Sequence, residues 1–431
     1  MKILQVIHQD PRKGTGGAET YCRHLSAALR DRGHDLAVFC AVREGREEPL
    51  RIDIEKDIIY YSVDLDTLPS AGHRFQFNNS YANPYVAKIF AEILQDFQPS
   101  LVHVHHLLTL SHEIISITRV NDLPVALTLH DYWFFCHRIN LVLPGGKSCE
   151  GPGGGWNCRS CGKKTYNQFP GIFLKPGQAI ATVIRNRRLL RVLEQCDRIY
   201  APSHHLLWRY ESEGVPAKLL SHRPYGIPKT DTPPKDIPQD GVVFGYIGNI
   251  APHKGIETMI RATQLLAGLP FKLKLFGNGD ADYLHRLKQE TAGQPVFFEG
   301  AFEPRELDKV HKQIDVLIVP SVWEENSPLV IHEASNAKVP VIASKTGGIP
   351  EIVGERRGGL LFPPGNFAML AGIMREIALH PKRVMQLSRR AQTVRSIEAE
   401  SAIMEKEYKE LIEKKDEAKQ ETTCALGEEQ Q

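Results

Sequence analysis

The chain alternates short apolar stretches with amphipathic segments, and this rhythm occurs in both of its halves. In the first half, five stretches have the length and composition of buried strands: Ile3–Ile7, Asp35–Cys40, Ser100–His105, Pro124–Leu129 and Asp197–Ala201. The second half adds five more: Val242–Ile247, Lys272–Phe276, Val296–Glu299, Asp315–Val319 and Val339–Ala343. Strands that alternate with helices predict parallel sheets with crossover helices, here an α/β fold of two doubly wound domains.

Changes in composition divide the chain into segments. Residues 1–215 are predicted to form a Rossmann-like N-terminal domain, and the proline-rich residues 216–240 an interdomain linker. Residues 241–385 are predicted to form a second such domain, followed by a C-terminal helix over 386–413. Residues 414–431 are polar and nearly free of large apolar side chains, and we expect them to be disordered.

Length and charge exclude several classes of protein. The chain has 431 residues, enough for two domains, a formal net charge of +2 and a pI of about 8.1. This balance gives no strong attraction to nucleic acid. No apolar run reaches the roughly 18–20 residues of a membrane-spanning helix. The first residues have the pattern of a buried strand instead of a signal peptide, so we predict a cytoplasmic protein.

The strand ending at Val319 is followed by a polar loop and a predicted helix start. Ser327 suits the N-cap and Pro328 the first helical position. The backbone N–H groups near Leu329 and Val330, with the positive end of the helix dipole, would then face a ligand above the strand ends. Such a helix start is a ready site for a phosphate or diphosphate.

Two glutamates flank this helix start. Glu325 lies just before it and Glu333 just inside it, where they could hold hydroxyl groups beside a phosphate. A diphosphate with hydroxylated groups at both ends describes a nucleotide-sugar. For the spacing alone, the alternative is that both glutamates are solvated surface charges.

Residues 315–334 resemble the signature of the retaining glycosyltransferases of family 4, in which a similar loop and helix carry paired glutamates. The resemblance implies the GT-B architecture, with two Rossmann-like domains facing across a cleft and a closing C-terminal helix. It also implies transfer from a nucleotide-sugar without a catalytic metal, by front-face attack of the acceptor. Glu325 would position the sugar and Glu333 the ribose hydroxyls.

Further segments extend the resemblance over roughly residues 1–380. Lys254 precedes a helix within a loop that matches the family's cationic motif, and it would neutralise the departing diphosphate. Asn249 stands where the family usually has arginine, which leaves one positive charge missing. His130 ends a strand and resembles the histidine that contacts the transferred sugar, although it could equally cap backbone groups.

Three glycine positions belong to loops that the resemblance places beside the donor. Gly16 and Gly17 lie in the turn between the first strand and the first helix, and Gly277 follows the strand ending at Phe276. Glycine permits close approach of backbone to a ligand. Ordinary tight turns explain the same glycines equally well.

A cysteine cluster and a basic helix do not belong to the family pattern. Four cysteines fall within a glycine-rich insertion at 136–161, namely Cys136, Cys149, Cys158 and Cys161. They could bind one structural zinc, and an iron–sulfur cluster or plain thiols are the alternatives. The basic segment from Lys175 to Arg191 could rest on an anionic bilayer, or it is a solvated face.

The sequence therefore predicts a retaining, metal-independent hexosyltransferase acting in bacterial surface polysaccharide or glycoconjugate synthesis. Its partners would be a nucleotide-sugar donor and a carbohydrate or lipid-linked acceptor, with contact to the inner face of the membrane. Two alternatives stay open: a nucleotide-sugar epimerase of the same fold, and a non-catalytic binding protein that uses the cysteine cluster.

Overall fold

All ten strands predicted from the sequence are present, with ends that differ by at most two residues from the prediction. The structure is a computed structural model that describes residues 1–14, 16–69, 76–143, 146–161 and 175–428. The chain divides into two units. The first consists of Met1–Ile139, Glu150–Pro228 and Arg395–Gln431, and the second of Asn140–Cys149 and Lys229–Val394.

The first unit is built on an eight-stranded sheet. Its strands are β1 (Lys2–Ile7), β2 (Asp35–Val42), β3 (Leu50–Glu55), β4 (Ile58–Asp64), β5 (Leu101–Val104), β6 (Val125–Thr128), β7 (Arg198–Ala201) and β8 (Leu220–His222). The strand order is β3-β4-β2-β1-β5-β6-β7-β8, and β3 alone runs antiparallel to its neighbour. The order reverses direction between β1 and β5, which is where open α/β sheets bind ligands.

Helices connect these parallel strands. Those described in this part of the chain are α1 (Gly17–Asp31), α2 (Gln76–Asn79), α3 (Pro84–Phe97), α4 (Glu113–Val120), α5 (Lys175–Leu193) and α6 (His204–Ser212). In α1 the buried side chains include Tyr21, Leu25 and Leu29, spaced four residues apart. This spacing places them on one face, against the sheet.

The second unit has a six-stranded parallel sheet. Its strands are β9 (Val242–Ile247), β10 (Phe271–Phe276), β11 (Val296–Gly300), β12 (Val316–Val319), β13 (Val341–Ser344) and β14 (Gly359–Phe362), in the order β11-β10-β9-β12-β13-β14. Its helices are α7 (Ile256–Gln264), α8 (Ala281–Glu290), α9 (Leu307–Lys312), α10 (Leu329–Asn336), α11 (Ile349–Ile352), α12 (Phe367–Leu379) and α13 (Lys382–Arg390). This is the Rossmann order, with its reversal between β9 and β12.

Both faces of the second sheet are covered, which explains why its strands are almost continuously apolar. Val316 and Ile318 belong to one buried cluster, whereas Leu317 and Val319 belong to another. Successive side chains of a strand point to opposite faces, so β12 supplies both clusters alternately.

The C-terminal end of the chain departs from the prediction. The predicted helix over 386–413 is interrupted, because Ser396 forms a backbone bridge with Ile227 between α13 and the last helix, α14 (Ile397–Glu428). The prediction of a disordered tail from residue 414 is wrong up to Glu428. The lysine, glutamate, glutamine and alanine residues of this stretch are strong helix formers, which explains why α14 continues through it.

The predicted linker is also shorter than the proline content suggested. Its first part contains β8, which pairs with β7 and adds an edge strand to the first sheet. Leu220 is buried there, and an edge strand tolerates nearby prolines because one of its sides makes no ladder bonds. Within the described ranges, no helix is both long enough and apolar enough to cross a bilayer.

The last helix should stabilise the first unit through Tyr408. This side chain is fully buried, and its hydroxyl lies 2.5 Å from His103 Nδ1. We expect Tyr408→Ala to lower the free energy of unfolding by about 3–5 kcal/mol, and Tyr408→Phe by about 1 kcal/mol. Urea unfolding measures both, with the exposed Glu417→Ala as control. Equal stability of the alanine variant and the control would contradict the packing described.

Candidate active site

Lys254 and Glu325 form the centre of the candidate site in the second unit. They follow β9 and β12, which are adjacent in the sheet although two strands separate them in sequence. Lys254 Nζ lies 2.7 Å from Glu325 Oε1. Only 7% of the Glu325 side chain is exposed, against 26% of the Lys254 side chain. The structure thus brings the two residues together at the switch point, with the ammonium group more accessible.

Glu325 Oε1 accepts two further hydrogen bonds from residues that the sequence did not single out. The donors are Ser321 Oγ at 2.7 Å and Trp323 Nε1 at 2.9 Å. A buried carboxylate needs such donors, because removing a charge from water is costly unless the charge is paired. Lys254 Nζ also lies 5.0 Å from the Trp323 ring centroid. Trp323 therefore contacts both members of the pair.

Two glycines make this arrangement sterically feasible. Gly255 has a φ of +76°, and a Cβ there would lie 1.9 Å from the carbonyl oxygen of Pro320. Gly347 has a φ of +55°, and its Cβ would lie 2.0 Å from the carbonyl oxygen of Glu325. That same carbonyl accepts a hydrogen bond from the N–H of Gly348. Side chains at either glycine would push apart the loops that hold the pair.

The start of α10 differs by one residue from the predicted one. Pro328 occupies the N-cap position, and the helix has no side-chain cap. Ser327, predicted as the cap, instead hydrogen-bonds through Oγ to Nε2 of the buried His332 at 2.7 Å. Burial lowers the pKa of His332 to about 4, so this ring is neutral at physiological pH. The backbone at Leu329 and Val330 still opens a helix without a side-chain oxygen over it.

Three other predicted donor contacts lie around this centre. Glu333 is half-buried on α10, four residues after Leu329. Asn249 is exposed, and its carbonyl oxygen accepts a hydrogen bond from the Tyr246 hydroxyl. Gly277 packs against the backbone of the loop after β9, where its Cβ would meet the Gly248 oxygen at 1.9 Å. Each of these contacts with a donor stays a prediction.

In the first unit, His130 belongs to a buried chain of hydrogen bonds. His105 Nε2 donates to Gln5 Oε1 at 2.7 Å, which leaves His105 Nδ1 as an acceptor for His130 Nε2 at 3.3 Å. His130 Nδ1 then accepts from the Tyr225 hydroxyl at 2.7 Å. Both ring nitrogens of His130 thus have protein partners, and its contact with a sugar stays a prediction.

Burial keeps these histidines neutral. It lowers the pKa of His130 and His105 well below their usual range, with smaller contributions from neighbouring imidazoles. For His103, which lies on β5 two residues before His105, burial lowers the pKa to about 3. At neutral pH the group acts through oriented dipoles, without a positive charge.

The sequence analysis missed the histidines that follow β5 and its neighbour β1. His106 Nε2 lies 2.9 Å from Asp131 Oδ2, and the ring centroids of His106 and His8 are 4.3 Å apart. The signal was present, because histidines interrupt an otherwise apolar strand at its carboxyl end. Glu19, buried in the first turn of α1, was missed as well.

The zinc hypothesis gains no support from the described residues. Cys136, Cys158 and Cys161 belong to the first unit, but their sulfurs are not among the ligand atoms that converge within 4.8 Å of one another. The sulfur of Cys149 is not among those atoms either. The described residues thus lend the zinc site no support, and a tetrahedral thiolate site at the four cysteines stays a prediction.

Two family models match the chain in succession. The first, Glycosyltransferase Family 4, matches residues 15–229, and the second, Glycosyl transferases group 1, matches residues 229–394. Together with two Rossmann-like units, these matches define a glycosyltransferase of the GT-B class. The chain belongs to the family 4 glycosyltransferases.

Curated relatives and solved structures agree with this class. An uncharacterized glycosyltransferase of Methanocaldococcus jannaschii is 35% identical over 133 residues, 30% of this chain and 34% of that protein. The chain thus spans about a third of that relative. A Mycobacterium tuberculosis glycogen synthase is 24% identical over 418 residues, 91% of this chain and 89% of the synthase.

The solved structures establish the fold. Sucrose-phosphate synthase from Thermosynechococcus elongatus has a TM-score of 0.72 at 21% identity, covering 95% of this chain and 99% of the other. Anabaena HepE in complex with UDP and glucose has a TM-score of 0.65 at 18% identity, covering 94% and 98%. Both show the GT-B arrangement, which confirms the fold predicted from the sequence.

The buried neutral histidines predict acid lability of the first unit. A lowered pKa in the folded state gives stability that is complete above the unfolded pKa near 6.5 and is lost as pH falls. If His8, His103, His105 and His130 all contribute, the slope approaches about 5.5 kcal/mol per pH unit, about 1.4 for each. The raised pKa of Glu19 offsets part of this loss.

Urea unfolding at pH 7.5, 6.5 and 5.5 measures that slope, and those three values are about the range over which histidine titrates. We expect the free energy of unfolding to fall steeply only below about pH 6.5. The exposed His380→Gln variant should show the same slope as the wild type. A free energy of unfolding that is constant over the series would contradict the neutral assignment.

Proposed function

We propose that this protein is a retaining glycosyltransferase that moves a sugar from a nucleotide-sugar to an acceptor hydroxyl. The observation that carries the proposal is the Lys254–Glu325 pair at the switch point of the second sheet, followed in sequence by a helix without a side-chain cap. A cation and free helix N–H groups suit a diphosphate, and a buried carboxylate suits a sugar that develops positive charge.

The hydrogen bonds of Glu325 support this division of roles. When Lys254 turns toward a diphosphate, Ser321 and Trp323 still donate to the carboxylate. Glu325 therefore stays fixed in position while the lysine neutralises the leaving group. Glu333 would hold the ribose hydroxyls, and Gly16, Gly17 and Gly277 would line the donor site.

Lys254 and the start of α10 would take the place of a divalent metal on the diphosphate, so we propose a metal-independent reaction by front-face attack. The acceptor would be a carbohydrate or a lipid-linked sugar, and the setting bacterial surface polysaccharide or glycoconjugate synthesis in the cytoplasm. The exposed face of α5, described below, fits an acceptor held at the inner face of the membrane.

Radiolabelled UDP-, GDP- and ADP-sugars, first ranked by thermal shift, test this proposal in the presence of EDTA. We expect one donor to be hydrolysed slowly or transferred, with an α-linked donor giving an α-linked product. A β-linked product would contradict retention, and dependence on added metal would contradict the metal-free reaction. Formation of an epimer would favour the isomerase instead.

Two variants test the roles of the charged pair. Glu325→Gln and Lys254→Ala should each lower kcat by about a hundredfold or more, the effect of losing one electrostatic stabiliser. The exposed Lys272→Ala and Glu376→Gln serve as controls and should retain wild-type kcat. Near-normal turnover of either site variant, with an unchanged circular dichroism spectrum, would rule out the assignment.

One face of α5 supports peripheral contact with an anionic membrane. Ile180 and Ile184 are 60% and 46% exposed, and Arg187 and Arg191 continue the same face at helical spacing. Among the described residues, no carboxylate pairs with either arginine. Trp156, 60% exposed, lies in a short 3-10 helix that packs against α5. Exposed apolar side chains beside unpaired cations are typical of helices that lie on a bilayer.

The composition around α5 agrees with this assignment. Residues 151–193 contain eight lysines and arginines and no aspartate or glutamate, whereas the whole chain has 51 acidic residues. Sedimentation with vesicles of phosphatidylcholine, with and without phosphatidylglycerol, measures the contact. Arg187→Glu combined with Arg191→Glu should weaken binding to the anionic vesicles by about thirtyfold. Arg305→Glu, in the second unit, is the control, and equal binding of all three proteins would contradict the proposal.

A further inference from the structure

His8 lies at the switch point of the first sheet, and one of its ring nitrogens has no partner among the residues that the structure describes. It follows β1 directly, beside β5, at the edge where this fold binds ligands. Its Nε2 lies 3.2 Å from Glu19 Oε1. Its Nδ1 is buried and has no hydrogen-bond partner among the described residues. Buried polar atoms of this kind are uncommon in proteins and indicate a missing ligand or water.

Glu19 fixes the orientation of the His8 ring. Its side chain is buried and lies over the loop that precedes α1. A Cβ at Gly14 would lie 2.6 Å from Glu19 Cγ, and a Cβ at Gly16 would lie 2.3 Å from Glu19 Oε2. The glycines of this loop therefore make room for a carboxylate of the protein itself.

The hydrogen-bonding capacity of His8 and Glu19 determines which chemical group can bind at His8 Nδ1. If His8 donates through Nε2 to the Glu19 carboxylate, Nδ1 is a hydrogen-bond acceptor. If Glu19 is protonated and donates to Nε2, Nδ1 carries the proton and is a donor. A hydroxyl group satisfies both cases because it donates and accepts. Anions are disfavoured, since the carboxylates of Glu19 and Asp131 both lie close to the histidine pair of His8 and His106.

We propose that His8 Nδ1 binds a hydroxyl group of the sugar acceptor and that Glu19 is the positioning residue that holds the imidazole. The inference rests on the proposed function, because it assigns the acceptor to the first unit while the Lys254–Glu325 pair serves the donor. His8 is then a binding residue for one acceptor hydroxyl. Glu19 acts only through His8.

Two substitutions at His8 distinguish binding of the acceptor hydroxyl at Nδ1 from the contact between Nε2 and Glu19. Asparagine places its amide near the position of Nδ1, whereas glutamine places its amide near Nε2, toward Glu19. His8→Gln should raise the KM for the acceptor by about tenfold, and His8→Asn by less than about threefold. The probes are the methyl α-glycosides of glucose, mannose and galactose, with the donor that the wild type hydrolyses. His24→Gln on α1 is the matched control.

The KM for the donor and the rate of donor hydrolysis should change by less than about twofold in both variants. A larger effect of His8→Asn than of His8→Gln, or equal effects of the two, would overturn the inference, because His8 would then only support Glu19. If the wild type hydrolyses a donor but glycosylates none of the methyl glycosides, the inference alone fails. If it neither hydrolyses nor transfers, the proposed function fails too.

A spectroscopic measurement covers the case in which a variant does not fold. In the wild-type chain, the nitrogen chemical shift of His8 Nδ1 should change when the accepted methyl glycoside is added, and the shift of His24 should not. An unchanged His8 signal at a saturating concentration of glycoside would overturn the inference without any substitution.

Discussion

A carboxylate that has left water must be given hydrogen-bond donors, and this requirement shapes the second unit. Glu325 is buried at the end of β12, and three donors converge on one of its oxygens. The loops that carry those donors come so close that Gly255 and Gly347 touch the carbonyl oxygens of neighbouring loops. The geometry around the charge is therefore over-determined, which is the condition for an electrostatic site that needs no rearrangement during reaction.

The sheet of the first unit also reverses its strand order at a switch point, but different side chains lie there. Its switch point carries imidazoles instead of an ion pair, and burial keeps them neutral. The amide oxygen of Gln5 accepts from His105 and thereby fixes which nitrogen of His105 is the acceptor. That acceptor in turn fixes the donor and acceptor nitrogens of His130, which binds the Tyr225 hydroxyl. Neutral imidazoles with fixed donor and acceptor nitrogens suit hydroxyl groups, whereas the lysine of the second unit suits a diphosphate.

Apolar strands and the charged residues that follow them could be predicted from the sequence, because both leave a local signal. Val242–Ile247 and Asp315–Val319 are buried on both faces, so their apolar composition alone predicts that they are strands. Strand β3 left no such signal, since it is largely exposed. Strand β4 is apolar and buried, and the sequence analysis overlooked it. The donors Ser321 and Trp323 could not be predicted either, because their role depends on how the loop after β12 folds back on Glu325.

The prediction for the C-terminal segment was also wrong, and α14 contacts residues that lie far from it in the sequence. The hydroxyl of Tyr408 meets His103 across 305 residues of chain. During synthesis, residues 229–394 leave the ribosome before the helix that completes the first unit exists. The second unit can therefore finish folding first, and the N-terminal sheet must wait with part of its core uncovered. A nascent chain that ends before Tyr408 lacks the partner of His103, so the first unit can be completed only near the end of synthesis, after the second unit has left the ribosome.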